Sequence, residues 1–392
     1  MVVALDSAPY LLKNERTELT DNRSDNERNI LNLIRQHKAL PKATLSKLTG
    51  LSAQSATVII KKLEASGLVK PLAPIKGGIG QPKIPFGLNP EGAFGIGLKV
   101  GRRNYEMTLI DLEGNVRATR YESVSYPTTA GFLTFASNAF HEIVKSLNDI
   151  QRLRIRGVGV AMPFAIWNWP IETGAPEATL AQWQQFDIKS ELERVLSLPV
   201  FVKNDTAAAC SAEMTFGNSQ QWENYLYVFV GTFLGGAVVI NNSLLSGRTG
   251  NAGAIGSLPF FEGQERKQLI NQSSLYLLEQ SLNTKGEQGK KVYDSTSPWH
   301  FHEASIIEWV SGAAKGLAHA AQCAMSLLDL DGVIVDGAIP PEIKESLIVQ
   351  TQEAMFALDM RGIASTSICS GTVGANAQSI GSAILPLLAN YY

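Results

Sequence analysis

The order of elements predicts an α/β chain in two parts: three short helices with a β-hairpin, then a larger body of two similar units. Three observations point there. Charge is segregated: between Arg35 and Pro90 nine lysines and arginines face one acid, Glu64, a net of +8, whereas residues 91–392 carry −8. Capping residues with Gly or Pro stops mark three short helices before residue 70. From Gly92 onward, antiparallel strands followed by alternating strands and helices occur twice.

With 392 residues, 45% hydrophobic and 18% charged, the chain has material for two or three domains of roughly 100–200 residues each. Cys210, Cys323 and Cys369 stand too far apart for a disulfide framework or a CxxC zinc pair. No apolar run reaches the roughly 18–20 residues that span a bilayer, so no membrane partner is expected. The first residues lack the basic-then-apolar order of a signal peptide, and a cytoplasmic, reducing environment is expected. Residues 1–24, polar and of mixed charge, read as disordered.

In residues 25–90 the first helix is expected to be capped by Asp25 or Asn26, with Ile30, Leu31, Leu33 and Ile34 on its apolar face. Pro41 opens a second helix that turns Leu45 and Leu48 inward and ends at Gly50. Ser52 caps a third, stopped by Gly67, with Ala56, Ile59, Ile60 and Leu63 inward. Its outer face carries Gln54, Ser55, Thr57, Lys61 and Lys62. Two strands joined by IKGGIGQPK follow and complete a winged helix-turn-helix. The third helix of such a module fits a major groove, small polar residues meeting base edges and lysines meeting phosphates. Double-stranded DNA is the expected partner.

The body begins with strands at 93–100, 105–111 and 116–126, a helix at about 130–149, and strands at 156–162 and 198–205. The last runs into the helix TAAACSAEMTFG. A second meander at 226–240 leads to helices near 265–283 and 303–328. The strand GVIVDG, a helix near 341–358, a short strand at 364–369 and a helix at 376–389 close the chain. We divide the body into a lobe of residues 91–203 with 376–392 and a lobe of residues 204–375.

This order, from about residue 27 to the end, resembles the ROK family (repressor, open reading frame, kinase) of sugar kinases and transcriptional repressors. The resemblance implies an actin/hexokinase-like fold, two ribonuclease-H-like lobes closing on a sugar. In the kinases a DxGxT loop binds phosphate, an ND pair supplies the base, and an ExGH motif contacts the sugar. In many members the histidine also holds zinc with three cysteines.

Several of those positions are altered here. Against DxGxT the chain reads LKVGRRN: Lys99 takes the aspartate's place, and Arg102 and Arg103 stand at glycine and threonine. A phosphate cradle needs small residues and a carboxylate for Mg²⁺, so phosphoryl transfer is not expected. In the second loop, GTFLGG, Phe233 fills a usual glycine. The ND pair persists as Asn204 and Asp205, suited to sugar hydroxyls, and an aspartate there also suits a helix cap. GNAGAIGS puts Ala254 at the glutamate and Ser257 at the histidine. The cysteine segment is missing, Ser274 and Tyr276 standing at its end, so neither zinc nor any other cofactor is expected. His300 and His302, two apart, read as an approach to a helix; His37, His141 and His319 fall on helices. Trp183 aligns with a family tryptophan near the sugar, and Trp167 and Trp169 offer further aromatic surface. Repressors of the family often carry GRP at the wing tip; here Gln81 replaces the arginine and Lys83 follows as a phosphate contact.

The resemblance and its departures together imply a DNA-binding regulator, a repressor, acting as a homodimer or higher homo-oligomer, with a sugar or sugar derivative as effector at Asn204, Asp205 and Trp183. The alternatives are a sugar kinase with atypical loops and a DNA-binding dimer that answers to no effector.

Overall fold

A computed structural model describes residues 23–75, 83–294, 299–364 and 366–392. Helix α1 (Asp25–His37) begins at Ser24, one residue before the expected caps. The Ser24 hydroxyl accepts the Glu27 N–H, and the Glu27 carboxylate accepts the Ser24 N–H at 2.9 Å, a reciprocal box that Asp25 and Asn26 cannot form from inside the helix. Ile30, Leu31 and Ile34 are fully buried. Strand β1 (Ala39–Pro41) then leads to α2 (Lys42–Thr49), which Gly50 ends at φ +70°. Leu45 is buried, but Leu48, expected inward, is 50% exposed, because this eight-residue helix ends before the core reaches its last turn.

Helix α3 (Ala53–Ala65) starts where Ser52 accepts the Ser55 N–H at 3.0 Å. The wing strands β2 (Val69–Pro71) and β3 (Pro85–Leu88) pair antiparallel, and β1 joins them in the order β1-β3-β2. That third strand has no signature in three residues of sequence. Three helices and this three-stranded sheet make a winged helix-turn-helix.

The first body sheet holds β4 (Phe94–Val100), β5 (Asn104–Asp111), β6 (Val116–Ser123), β7 (Ile155–Met162) and β8 (Val200–Asn204), in the order β6-β5-β4-β7-β8. Helices α4 (Thr129–Lys145), α5 (Asp149–Leu153), α6 (Pro170–Thr173), α7 (Glu177–Ala181) and α8 (Ile188–Leu196) connect its later strands. Helix α9 (Asp205–Phe216) leads into the second sheet: β9 (Tyr225–Val230), β10 (Leu234–Ile240) and β11 (Ser243–Leu244), later joined by two more strands. Between them lie the hairpin β12 (Pro259–Glu262) and β13 (Glu265–Gln268), then α10 (Ile270–Ser273), α11 (Leu275–Thr284) and α12 (Glu303–Leu328). The hairpin corrects the expected helix from 265: Gly263, at φ +60°, turns the chain back on itself. Strand β14 (Gly332–Gly337), α13 (Pro341–Phe356), β15 (Ser367–Ser370) and α14 (Ala377–Asn390) complete the chain.

The second sheet runs β11-β10-β9-β14-β15, the same plan as the first: a three-stranded meander extended by two parallel strands. Helix α14 returns to the first sheet and packs along α9. That contact is very close. A Cβ on Gly159 would lie 1.8 Å from the Ser382 carbonyl oxygen, and one on Gly381 1.9 Å from that of Ala208. The winged helix is fused to this lobe. Ile30, Leu31 and Ile34 share a core with Ile110, Leu112, Ile384, Leu387 and Tyr391. Arg28 donates to the Ala389 carbonyl at 2.8 Å. Among the described residues no helix is long and apolar enough to cross a membrane.

Candidate functional site: the helix face and the interlobe cleft

On α3, Gln54, Ser55, Lys61 and Lys62 are exposed and Thr57 is half-buried. Bonds within the domain already engage three of these five residues. The Ser55 hydroxyl lies 2.9 Å from that of Ser52, and the Thr57 hydroxyl donates to the Ala53 carbonyl at 2.7 Å. Lys62 pairs with Glu27 at 2.8 Å. Burial pushes the Glu27 carboxyl up, but Lys62 and the Ser24 N–H hold it below its ordinary value. Val58, absent from the sequence prediction, is 61% exposed one turn from Gln54 and from Lys62, where an apolar side chain suits a thymine methyl. Lys83 stands exposed at the base of the wing, its carbonyl bonded to the Ile75 N–H at 2.9 Å. Gln81 lies outside the described residues.

The cleft is built at the junction of β8 and α9. Asn204, not Asp205, is the cap: its Oδ1 accepts the N–H groups of Thr206 and Ala207 at 3.0 and 3.1 Å. Asp205 is the first helical residue. Its Oδ1 accepts the Thr206 N–H at 2.8 Å, and its Oδ2 faces Arg102 Nη1 at 4.0 Å. The Arg102 guanidinium lies over the Phe233 ring, 3.7 Å from its centre. Burial lowers its pKa to about 10 despite the attraction of Asp205. Phe233 in turn packs edge-on against Trp169 and Tyr276, each at 5.4 Å.

These residues form a partition. On one side is a cavity of about 280 Å³, lined by Asn168, Asn204, Asn251, Ser257 and Gln268 among others. On the other is a cleft of about 580 Å³ where Lys99, Arg103 and Lys290 gather. Arg102, Asp205 and Phe233 line both. No short motif announces this wall, although Arg102 and Phe233 were both legible as bulky substitutes for small residues.

Trp183 is misplaced by the sequence reading. It is 2% exposed in the first-lobe core, donates to the Pro127 carbonyl at 3.1 Å and packs on Phe132 and Phe186. It does not line the cavity; Trp169 does, while Trp167 packs on the first-lobe core. The Tyr276 hydroxyl donates to Asn271 at 2.6 Å. Ser274 is buried and accepts the Leu234 N–H at 2.9 Å. Among the described residues no three His, Cys, Asp or Glu side chains gather as a metal set.

Fold and site thus define a DNA-binding module rooted on a body shaped like a sugar kinase. The pattern of the ROK family matches residues 95–267, and that of a winged helix-turn-helix DNA-binding domain matches residues 23–70. The chain carries a ROK family domain behind an N-terminal winged helix-turn-helix. It is 25% identical to the xylose repressor of Bacillus subtilis over 59% of this chain, and the match spans 60% of that repressor's length. A ROK family transcriptional regulator, a homologue of the E. coli MLC protein, superposes with a TM-score of 0.67 at 19% identity, over 93% of this chain and 96% of its own. A ROK family glucokinase from Streptomyces griseus, solved with glucose and AMPPNP, superposes with a TM-score of 0.57 at 19% identity, over 75% and 99%. One fold therefore serves both a regulator and a kinase, and the site must decide between them.

Proposed function

We propose that this protein is a transcriptional repressor that binds operator DNA as a homodimer and releases it when a sugar-like effector enters the 280 Å³ cavity. The observation that carries the reading is the path of α9. Its N-terminus supplies Asn204, Asp205 and Thr206 to the cavity. At its other end the Thr215 carbonyl accepts a bond from Arg35 of α1, whose guanidinium also stacks 5.3 Å from the centre of the Tyr392 ring. A shift at Asp205 therefore reaches the winged helix through one rigid element. The xylose repressor, a relative by sequence, supports the sugar class. One recognition helix and one wing cover too little DNA for typical specific affinity, so two copies on a two-fold operator are expected.

The partition supports a regulator over a kinase. A hydroxyl bound at Asp205 would have to reach a phosphate across the Arg102 guanidinium and the Phe233 ring. Turnover of ATP with any neutral or charged sugar would overturn that conclusion. Operator fragments recovered from genomic DNA provide the probe for the rest. Asp205→Ala should leave operator affinity within about twofold and abolish effector-driven release, which in the native protein should amount to roughly 5- to 150-fold. A folded Asp205→Ala protein that no longer binds operator would show that Asp205 is structural.

A further inference from the structure

Resting on that reading, we propose that the effector is an anion: a polyol carrying one compact carboxylate or phosphate group, held by Arg102 at the partition. Among the described residues, Arg102 and Asp205 are the only charged side chains lining the smaller cavity. The Arg102 side chain is 14% exposed, its Nε is buried without a hydrogen-bond partner, and Asp205 approaches no nearer than 4.0 Å. A guanidinium carries five donors in a planar fork suited to a two-oxygen acceptor, and unmet donors of a buried charge are costly. Stacking on Phe233 fixes the plane of that fork but meets none of its N–H groups.

The rest of the lining fits hydroxyls. Asn168, Asn251, Ser257 and Gln268 are neutral donors and acceptors, and Trp169 offers an apolar face. Ala254 contributes no charge where a carboxylate would have repelled an anion. Beyond the partition three bases, Lys99, Arg103 and Lys290, outnumber two acids, Glu106 and Asp294, which leaves a small positive excess behind Arg102. Asp205 is turned partly toward Arg102 and is left to accept a hydroxyl. An anion bound at the fork would compete with Asp205 for Arg102, at the N-terminus of the helix that leads to the winged helix.

The experiment compares D-glucose, D-gluconate, D-glucuronate, glucose 6-phosphate and inorganic phosphate in thermal melts of the full chain. At least one charged polyol should raise the melting temperature, and D-glucose and phosphate alone should not. The acids against the phosphate ester tell which anionic group the site takes. Arg102→Gln should weaken that ligand at least about tenfold, and Arg102→Lys, which keeps the charge but loses the fork, should recover only part. Stabilisation by D-glucose or by phosphate as strong as that by the charged polyols would overturn the proposal. So would unchanged binding to Arg102→Gln, or no response to any charged polyol; should neither variant fold, the native ligand series decides alone. Operator release is read separately. A neutral sugar that releases operator sinks the anion site and keeps the repressor, whereas an anion that binds without releasing operator does the reverse.

Discussion

At its N-terminus α9 holds Asn204 and Asp205 against an open cavity, with the Arg102 fork only loosely paired beside them. Toward its C-terminus the same helix is locked. Glu213, 0% exposed, accepts the backbone N–H groups of Asn218, Thr372 and Val373 at 2.9, 3.0 and 3.2 Å, and the Thr372 hydroxyl at 3.2 Å. Asp336 completes the lock, accepting the Gly374 N–H at 2.9 Å and the Lys344 ammonium at 3.1 Å. The chain from β15 to α14 is thus clamped to α9 where the lobes meet. Polar groups with spare capacity line the cavity, and polar groups without it hold the frame around it.

The locked end should be the more costly to disturb. Glu213→Ala strands three backbone N–H groups and should destabilise the protein by about 3 kcal/mol or more in urea unfolding. A loss below about 1 kcal/mol would mean that water replaces the carboxylate, and the contrast between the two ends would fail. Next comes the joint to the winged helix. Arg35→Ala removes the bond to Thr215 and the contact with Tyr392, and should cost about 1–2 kcal/mol. It should also cut effector-driven operator release below about threefold while the effector itself binds as before, in the same titrations.

The outer face of α3 permits a finer test. Lys62 is tied to Glu27, whereas Lys61 makes no ion pair among the described residues. Lys61→Ala should therefore lower the salt slope of DNA binding by about one, with a smaller change for Lys62→Ala. Equal slopes would show that the Glu27 pair opens on DNA. The smallest effect is on pH. The Glu27 carboxyl is held below its ordinary 4.5, so its stabilisation is complete above that value and is lost as pH falls through the lower, folded one. Urea midpoints between about pH 6 and pH 3 should show this extra acid sensitivity, and Glu27→Gln should remove it.

Local chemistry was legible in the sequence. Ser52, Gly50 and Gly67 act within a few residues of themselves, and their hydrogen bonds and positive φ values need no distant partner. The doubled strand pattern was equally plain, since alternation is a property of each segment. Motif comparison located the Asn204–Asp205 junction and the bulky Arg102 and Phe233. It could not say that those two stack, because nothing local brings residue 102 over residue 233.

What the sequence missed has the same origin. Trp183 lies near the cleft in alignment, but its indole points to Pro127 and Phe132, which pack on it from other elements. The Lys62 pair with Glu27 was likewise invisible in sequence, because α1 and α3 meet only in the fold. By itself the sequence determined where helices start and stop, which faces are apolar, and which family motifs are altered. Only the tertiary structure decided that Arg102 divides the cleft and that α9 joins a cavity to the winged helix. Periodicity and capping are set by neighbours along the chain, whereas a side chain's direction and pairing are set by elements that meet only once the lobes have packed.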